Sequence, residues 1–346
     1  RPNVKVFGTV DGAPCYRIPV IVMTAKSTLL AFAEARRGIG REWCKDKSSN
    51  EIAVKRSTTM GMSWESAKAA AGSKEVPVGN PVATALQSGR VVLVFAYHPK
   101  HCRTIDCGGE MLGNGMTMSD DDGRTWSTAI DLTKQWRSAA RGMPGPGAGL
   151  QLASGRLLVV SHMGPYVKDR VTYSDDEGEN WQVTNATFRH MDEGTLAELP
   201  NKHILLLMRS KAEKRHGKAM TTSIDGGLTW NEVTFNQNLP GPGCEASLAT
   251  LENGLLLFAN PASTSERSRI AVKVSKDGGR TWHFHFMVEC GVTFGYTSLV
   301  RGWVSQRHKL AGILFEAKEM GSIDFKLFHV DDVKSDAEAL ALDHCP

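Results

Sequence analysis

Short apolar runs of strand length recur along the chain at 28–33, 90–96, 156–160, 203–208 and 254–259. Each is followed, across a polar turn, by a second run, at 51–56, 116–118, 170–173, 218–222 and 269–274. Runs of this length bounded by Gly, Asp, Asn and Ser read as β-strands, and the β-branched and aromatic content of most of them agrees. The 3.6-residue periodicity of amphipathic helices is scarce and surfaces only at 336–342. After each second run stands an octapeptide of the form Ser-x-Asp-x-Gly-x-Thr-Trp. It is clean at 119–126 (SDDDGRTW), 223–230 (SIDGGLTW) and 275–282 (SKDGGRTW), and worn at 174–181 (SDDEGENW) and 57–64 (STTMGMSW), where Thr59 replaces the aspartate. The starts are 62, 55, 49 and 52 residues apart, and five of the eight tryptophans lie in these boxes, so the chain is a repeat array.

The box has the chemistry of a tight turn. Ser and Asp side chains can take nearby backbone N–H groups, Gly supplies a positive φ, and Trp anchors the turn on the core. Calcium binding by the aspartates is the competing reading, but each box offers too few oxygen ligands for a calcium cage. A sixth pair of runs, 310–315 and 323–329, lacks a box. Six units of about 50 residues, each of short antiparallel strands, predict an all-β fold, a six-bladed β-propeller occupying 1–346 as a single domain. Residues 5–10 are expected to complete the last blade and close the ring.

Composition narrows the classes. Residues are 41% hydrophobic and 23% charged, a globular balance, and no apolar run approaches the roughly 18–20 residues of a membrane span. Forty-one basic and 37 acidic residues give +4 without charge blocks, which argues against a nucleic-acid partner and leaves room for a small anionic substrate. Seven cysteines are too few for a disulfide scaffold and lack zinc-finger spacing; at least one is unpaired within the chain, and Cys102 and Cys107 are open to either state. The chain opens at Arg1 without a leader, so any targeting segment is expected to have been removed or not included. A secreted or lysosomal/vesicular setting is favoured over a cytoplasmic one, and Asn185-Ala186-Thr187 is one glycosylation sequon.

In a propeller, equivalent strand ends converge on one face, and Arg36, His98, His162, Arg209 and Glu316 stand at such ends. Cys15-Tyr16-Arg17-Ile18-Pro19 precedes the first blade. In order there follow Phe32-Ala33-Glu34-Ala35-Arg36, Pro144-Gly145-Pro146-Gly147, Asp192-Glu193, Met208-Arg209-Ser210, Asn260-Pro261-Ala262, Gly295-Tyr296-Thr297-Ser298-Leu299 and Leu314-Phe315-Glu316. An Arg-Ile-Pro motif, several aspartate boxes and this ordered set resemble the sialidase (neuraminidase) superfamily over essentially the whole chain.

The resemblance implies a site, and each residue type suits its implied role. Sialic acids carry a carboxylate on the anomeric carbon. A guanidinium fork grips such a planar anion better than an ammonium and stays charged at any working pH. The resemblance assigns this to Arg17, Arg209 and Arg267, with Arg269 the competitor for the last place. A carboxylate nucleophile would meet the substrate's own anion, whereas a neutral phenol avoids that repulsion and needs a base, since its pKa is about 10. Tyrosine as the sialidase nucleophile is an established exception to the two-carboxylate scheme; the implied pair is Tyr296 with Glu193. Asp46, ten residues before Arg56, is the implied acid that protonates the leaving group and later activates water, with Glu42 the alternative in a loop enlarged for the family. Glu316 is implied to orient Arg17, and Arg36, or Arg37, to contact the sugar ring. His98, His101, His162, His190 and His216 lack a ligand-spaced pair and read as ordinary polar residues.

The resulting expectation is a retaining exo-sialidase, a glycoside hydrolase that removes terminal sialic acid from glycoproteins, glycolipids or oligosaccharides without cofactor or metal. A trans-sialidase, or an intramolecular one, would use the same residues. A catalytically silent sialic-acid lectin would not need Tyr296, Glu193 and an acid together, and a generic propeller scaffold would leave the arginines unexplained.

Overall fold

The computed structural model describes residues 2–38, 43–44, 50–73, 75–97, 113–136, 142–163, 167–210, 217–304, 309–330 and 345, with the backbone alone at 302–304. The described strands form six mainly antiparallel sheets, taken here as blades I to VI from the innermost strand outward. Blade I is Cys15–Met23, Leu29–Arg36, Asn50–Ser57 and Lys68–Ala71. Blade II is Val78–Ala85, Val91–Tyr97, Asn114–Ser119 and Ile130–Asp131, with Gly147–Ala148 added in parallel to its inner strand. In blade III, Met143–Pro144 and Leu150–Gln151 both pair with Leu157–His162, followed by Lys168–Ser174 and Gln182–Arg189. Blade IV is Met191–Glu198, Ile204–Ser210, Lys218–Ser223 and Thr234–Asn236; blade V is Ser247–Thr250, Leu256–Pro261, Ser268–Ser275 and His283–Val292.

Blade VI joins both ends of the chain. Thr297–Val304, Lys309–Glu316 and Ile323–His329 are completed by Val4–Phe7, which pairs antiparallel with Ile323–His329. The fold is the expected six-bladed β-propeller, closed by its N-terminal strand. That strand is shorter than the expected 5–10: at Gly8 the chain turns into a single 3₁₀ turn, Thr9–Asp11, where the Asp11 carboxylate accepts the Gly8 N–H at 3.0 Å and diverts it from the ladder.

The second strand of each blade carries the most apolar run because its neighbours cover both faces; Leu29–Arg36 is buried throughout. Core clusters accordingly bridge adjacent blades, as where Val20, Phe32 and Val54 of blade I meet Val78, Leu93 and Phe95 of blade II.

The boxes are turns, as their chemistry predicts. In the box at 275–282, the Ser275 hydroxyl donates to Asp277 at 2.8 Å and accepts the Gly279 N–H at 2.9 Å. Asp277 also accepts the Arg280 and Thr281 N–H groups and the Thr281 hydroxyl at 2.6 Å. Its oxygens are therefore occupied by the turn itself. Thr59 does part of this work in the worn first box, accepting the Ser63 N–H at 2.9 Å. The box tryptophans reach across seams: Trp126 packs edge-on against Phe32 of blade I, Trp230 against Phe188 of blade III, and Trp64 against Phe325 of blade VI. Asp122 locks one seam more firmly, accepting the Thr24 and Thr28 hydroxyls at 2.5 and 2.7 Å and Arg56 at 2.8 Å.

The six inner strands line the axis. A cavity of about 360 Å³ at one end of the ring is lined by Met23, Ala85, Gln151, Glu198 and Thr250, each the last residue of an inner strand, and by Arg301 within the inner strand of blade VI. The residues singled out by sequence lie toward the other end. The 336–342 segment lies outside the described residues.

Candidate active site

Inner strands of blades I, II and IV each break register near their first residues, between Arg17 and Val20, Gly79 and Val82, and Asp192 and Gly194. Each break carries a non-glycine residue at positive φ: Ile18 at 58°, Asn80 at 51° and Glu193 at 45°. A bulge re-aims the side chains beside it. A β-branched residue at positive φ is a rare outlier, and such conformations cost about 1–3 kcal/mol each. At Ile18 the surroundings compensate, because its N–H is received by the buried Glu316 carboxylate at 3.1 Å.

Five of the sequence-selected residues meet at this end of the ring. Tyr296 immediately precedes the inner strand of blade VI, is 6% exposed, and donates its phenol O–H to Glu193 Oε1. Arg209, near the end of the second strand of blade IV, donates from one nitrogen to Glu193 Oε2 at 2.6 Å and stands 3.4 Å from the phenol oxygen. The Arg17 guanidinium lies 5.4 Å from the Tyr296 ring centroid and 4.2 Å from that of Phe294. Arg267, just before the third strand of blade V, lies 5.5 Å from the Tyr296 ring and donates to the Phe294 carbonyl at 2.9 Å. Three guanidinium groups thus surround one phenol that is hydrogen-bonded to one carboxylate.

Glu316 sits beneath this group, 1% exposed. It accepts Arg17 Nε at 2.7 Å and Nη2 at 3.3 Å on its two oxygens, and the Tyr296 N–H at 2.8 Å. Arg36 is also almost fully buried, donating to Glu34 at 2.9 and 2.6 Å and to the Cys44 carbonyl at 2.9 Å. These contacts anchor it on blade I. Arg37, its alternative, turns to Glu51 and to the Gly12 carbonyl. Asp46 and Glu42 lie outside the described residues, as do His98, His101 and His216, and Cys102 and Cys107.

Electrostatics sort the proton. Burial, reinforced by the Glu193 anion and opposed by Arg209, pushes the Tyr296 phenol well above its ordinary value. Burial also works to raise Glu193, but Arg209, His162 and the hydrogen bonds from Tyr296 and Arg209 outweigh it and hold Glu193 below the usual range. The resting pair is therefore a neutral phenol donating to a carboxylate, an arrangement in which a carboxylate can take the proton of a phenol that acts as a nucleophile.

Sequence reasoning missed a layer behind this pair. Asp192 is 4% exposed, 3.7 Å from His162 Nδ1 and 4.0 Å from Arg209. Burial lifts its pKa to about 6, against the pull of His162, with Glu193 adding to the rise and Arg209 opposing it. Asp169, fully buried with both carboxylate oxygens unbonded among the described residues, is raised well above the usual range by burial, Asp192 and Glu193. His162 was legible as a strand-end histidine, but its partner lies on another blade. Two disulfides were also missed: Cys15–Cys44 ties the Arg17 strand to the loop after Arg36, and Cys290–Cys345 pins the C-terminal end. Cys244 is a buried free thiol. Among the described residues, no group of three or more His, Cys, Asp or Glu could hold a metal ion.

Comparison with known proteins gives this arrangement a family. The model of the BNR repeat-like domain matches residues 19–305. A sialidase of Micromonospora viridifaciens is 30% identical over 306 residues, covering 79% of this chain and 46% of its own length. A sialidase of Bacteroides fragilis is 28% identical over 322 residues, covering 84% and 58%. The chain thus spans about half the length of the curated relatives it matches. Among solved structures, the Hadza microbial sialidase Hz136 superposes with a TM-score of 0.83 at 26% identity, covering 95% of this chain and 69% of that one. With a BNR repeat-like match over most of its length and a six-bladed propeller that superposes on the Hadza sialidase, the chain belongs to the sialidase superfamily.

Proposed function

We propose that this chain is a retaining exo-sialidase that hydrolyses terminal sialic acids from glycoconjugates through a tyrosyl-enzyme intermediate. The observation that carries the reading is the Tyr296 phenol bonded to Glu193, with Arg17, Arg209 and Arg267 around it. The relatives named sialidase support the coarser part of the reading, sialidase-type activity.

In this mechanism the three guanidinium groups take the substrate carboxylate and orient the anomeric carbon over Tyr296. The phenol attacks as Glu193 removes its proton, the glycosidic bond breaks, and Asp46 protonates the departing oxygen. Positive charge developing at the anomeric carbon faces the phenolate and Glu193, an electrostatic stabilisation preorganised by the fold. Asp46 then takes a proton from water, which attacks the anomeric carbon. The phenolate leaves and recovers its proton from Glu193. Two inversions give net retention, and no cofactor is needed. Arg36 contacts the sugar from the blade I side. Two disulfides among the described residues support a secreted or lysosomal/vesicular setting.

The test is a fluorogenic α-sialoside assay of the protein and of Tyr296→Phe, with proton NMR of the first-formed sugar. The expected result is turnover that falls by at least about 100-fold in the variant, in the range of losing a positioned catalytic group, and an α-anomer as first product. Undiminished turnover in Tyr296→Phe, or a first-formed β-anomer, rejects the mechanism. An anhydro sugar or a transfer product replaces hydrolysis with the corresponding transferase reading.

A further inference from the structure

We infer that Glu245 is a positioning residue for the Tyr296 phenol, acting through the peptide N–H of Thr297; the inference rests on the sialidase reading above. Two successive peptide N–H groups are each received by a buried carboxylate from a different blade. Tyr296 N–H goes to Glu316 of blade VI at 2.8 Å, and Thr297 N–H goes to Glu245 of blade V at 3.0 Å. Glu245 is 3% exposed and immediately precedes the segment that enters the inner strand Ser247–Thr250.

Its neighbours form a mould for residues 295–297. The Ser247 and Thr297 hydroxyls are 2.9 Å apart, and the Thr297 hydroxyl donates to the Ala259 carbonyl at 3.1 Å. Cys244 packs with Ile18 and Tyr296, and its carbonyl receives the buried Lys218 ammonium at 2.6 Å. Gly295, at φ +92°, presses so closely on this wall that a Cβ there would lie 3.0 Å from Cys244 Sγ and from Pro261, and 3.1 Å from Arg267. Residues 244–247 of blade V therefore fix the course of 295–297 across the seam to blade VI.

The phenol must meet a base that hangs from blade IV, so its height above the seam is set by blades V and VI together. A displacement of about 1 Å can cost about 100-fold in rate. Glu245 touches Thr297 rather than the reacting atoms. An amide oxygen can accept the same N–H, so acceptor geometry is the property required. Burial raises the acid strongly, with the Thr297 N–H and Lys218 opposing and the anions Glu193 and Glu316 reinforcing, so the site places little value on a full charge.

The experiment compares Glu245→Gln, which keeps the acceptor, with Glu245→Met, which keeps the volume without it. It measures kcat and KM on a fluorogenic sialoside, the rate of covalent trapping by 2,3-difluorosialic acid, and the Kd of the unreactive 2,3-didehydro analogue. Glu245→Gln is expected within about 3-fold of the parent in every quantity. Glu245→Met is expected about 100-fold lower in kcat and trapping rate, with KM and Kd within about 3-fold. Parent-like kcat in Glu245→Met, equal losses in both variants, or a loss carried by KM and Kd each overturns the inference. Should Glu245→Met not fold, Ser247→Ala opens the same seam. There kcat falls at least about 5-fold at unchanged KM, and an unchanged kcat overturns the inference. Absence of both turnover and trapping in the parent protein defeats the sialidase reading itself, an outcome distinct from these.

Discussion

Replacing Glu316 by glutamine preserves the shape beneath the candidate site while removing the charge that serves four contacts. Those contacts are Arg17 Nε at 2.7 Å, Arg17 Nη2 at 3.3 Å, Ile18 N–H at 3.1 Å and Tyr296 N–H at 2.8 Å. If the amide oxygen takes the place of Oε1, it keeps Arg17 Nε and Ile18 N–H, but the amide NH₂ then faces Tyr296 N–H and Arg17 Nη2, donor against donor. The side chains of the pair are 9% and 1% exposed, so water cannot step in. Removing one partner of a buried ion pair costs about 3–5 kcal/mol. With an unfolding entropy of about 0.7 kcal/mol/K for 346 residues, that lowers Tm by about 4–7 °C. A loosened Arg17 also weakens the grip on the substrate carboxylate by one charged hydrogen bond, about 1.5–3 kcal/mol, or about 10- to 150-fold, seen mainly in KM. Differential scanning calorimetry and sialoside kinetics read both. A variant that melts within about 1 °C of the parent and keeps its KM refutes the reasoning that Glu316 holds Arg17 in place.

Two further predictions concern the frame around the site. In the boxes, burial acts against ionisation. Hydrogen bonds from the Thr125 hydroxyl and N–H, the Ser119 hydroxyl and the Arg124 N–H prevail and bring Asp121 to about 2, as the equivalent bonds bring Asp277 to about 2. A depressed folded-state pKa gives stability that is present above the unfolded value near 4 and lost as pH falls toward 2. The Tm gap between the parent and Asp277→Asn should therefore narrow from pH 4 to pH 2, and a constant gap contradicts this. Cys15 and Cys44 are 29 residues apart, so losing their disulfide in a Cys15→Ser/Cys44→Ser double variant removes about 3–4 kcal/mol by loop entropy. Because Cys44 stands two residues before Asp46, the proposed acid, turnover of a natural sialyllactose, which needs a proton on its leaving oxygen, should fall more than turnover of an activated aryl sialoside; equal losses refute the proposed link.

The fold was legible where the sequence repeats itself. The box octapeptides and the apolar second strands, such as Val91–Tyr97 against the expected 90–96, match observed elements closely, because a strand covered on both faces is apolar throughout. The innermost strands were not read. Met191–Glu198 begins with Met, Asp and Glu and breaks register at Glu193, so its residues obey the site rather than the strand pattern. Tyr296, Glu193, Arg17, Arg209 and Arg267 were found through motifs at strand ends, and the ring brings them together. Glu245, Lys218 and the Asp192–His162 pair were missed because their meaning lies in contacts between blades, which no local spacing encodes. Trp136, outside every box yet packed edge-on against box residue Trp181, is a similar case.

The central claim is that the Tyr296 oxygen forms a bond to the anomeric carbon while Glu193 holds its proton. Incubation with 2,3-difluorosialic acid, a quench, and peptide mapping by mass spectrometry test it directly. The account predicts one sialyl adduct on the peptide containing Tyr296, absent in Tyr296→Phe and formed far more slowly in Glu193→Gln. An adduct on a carboxylate, or rapid sialoside hydrolysis with no adduct at Tyr296, contradicts it.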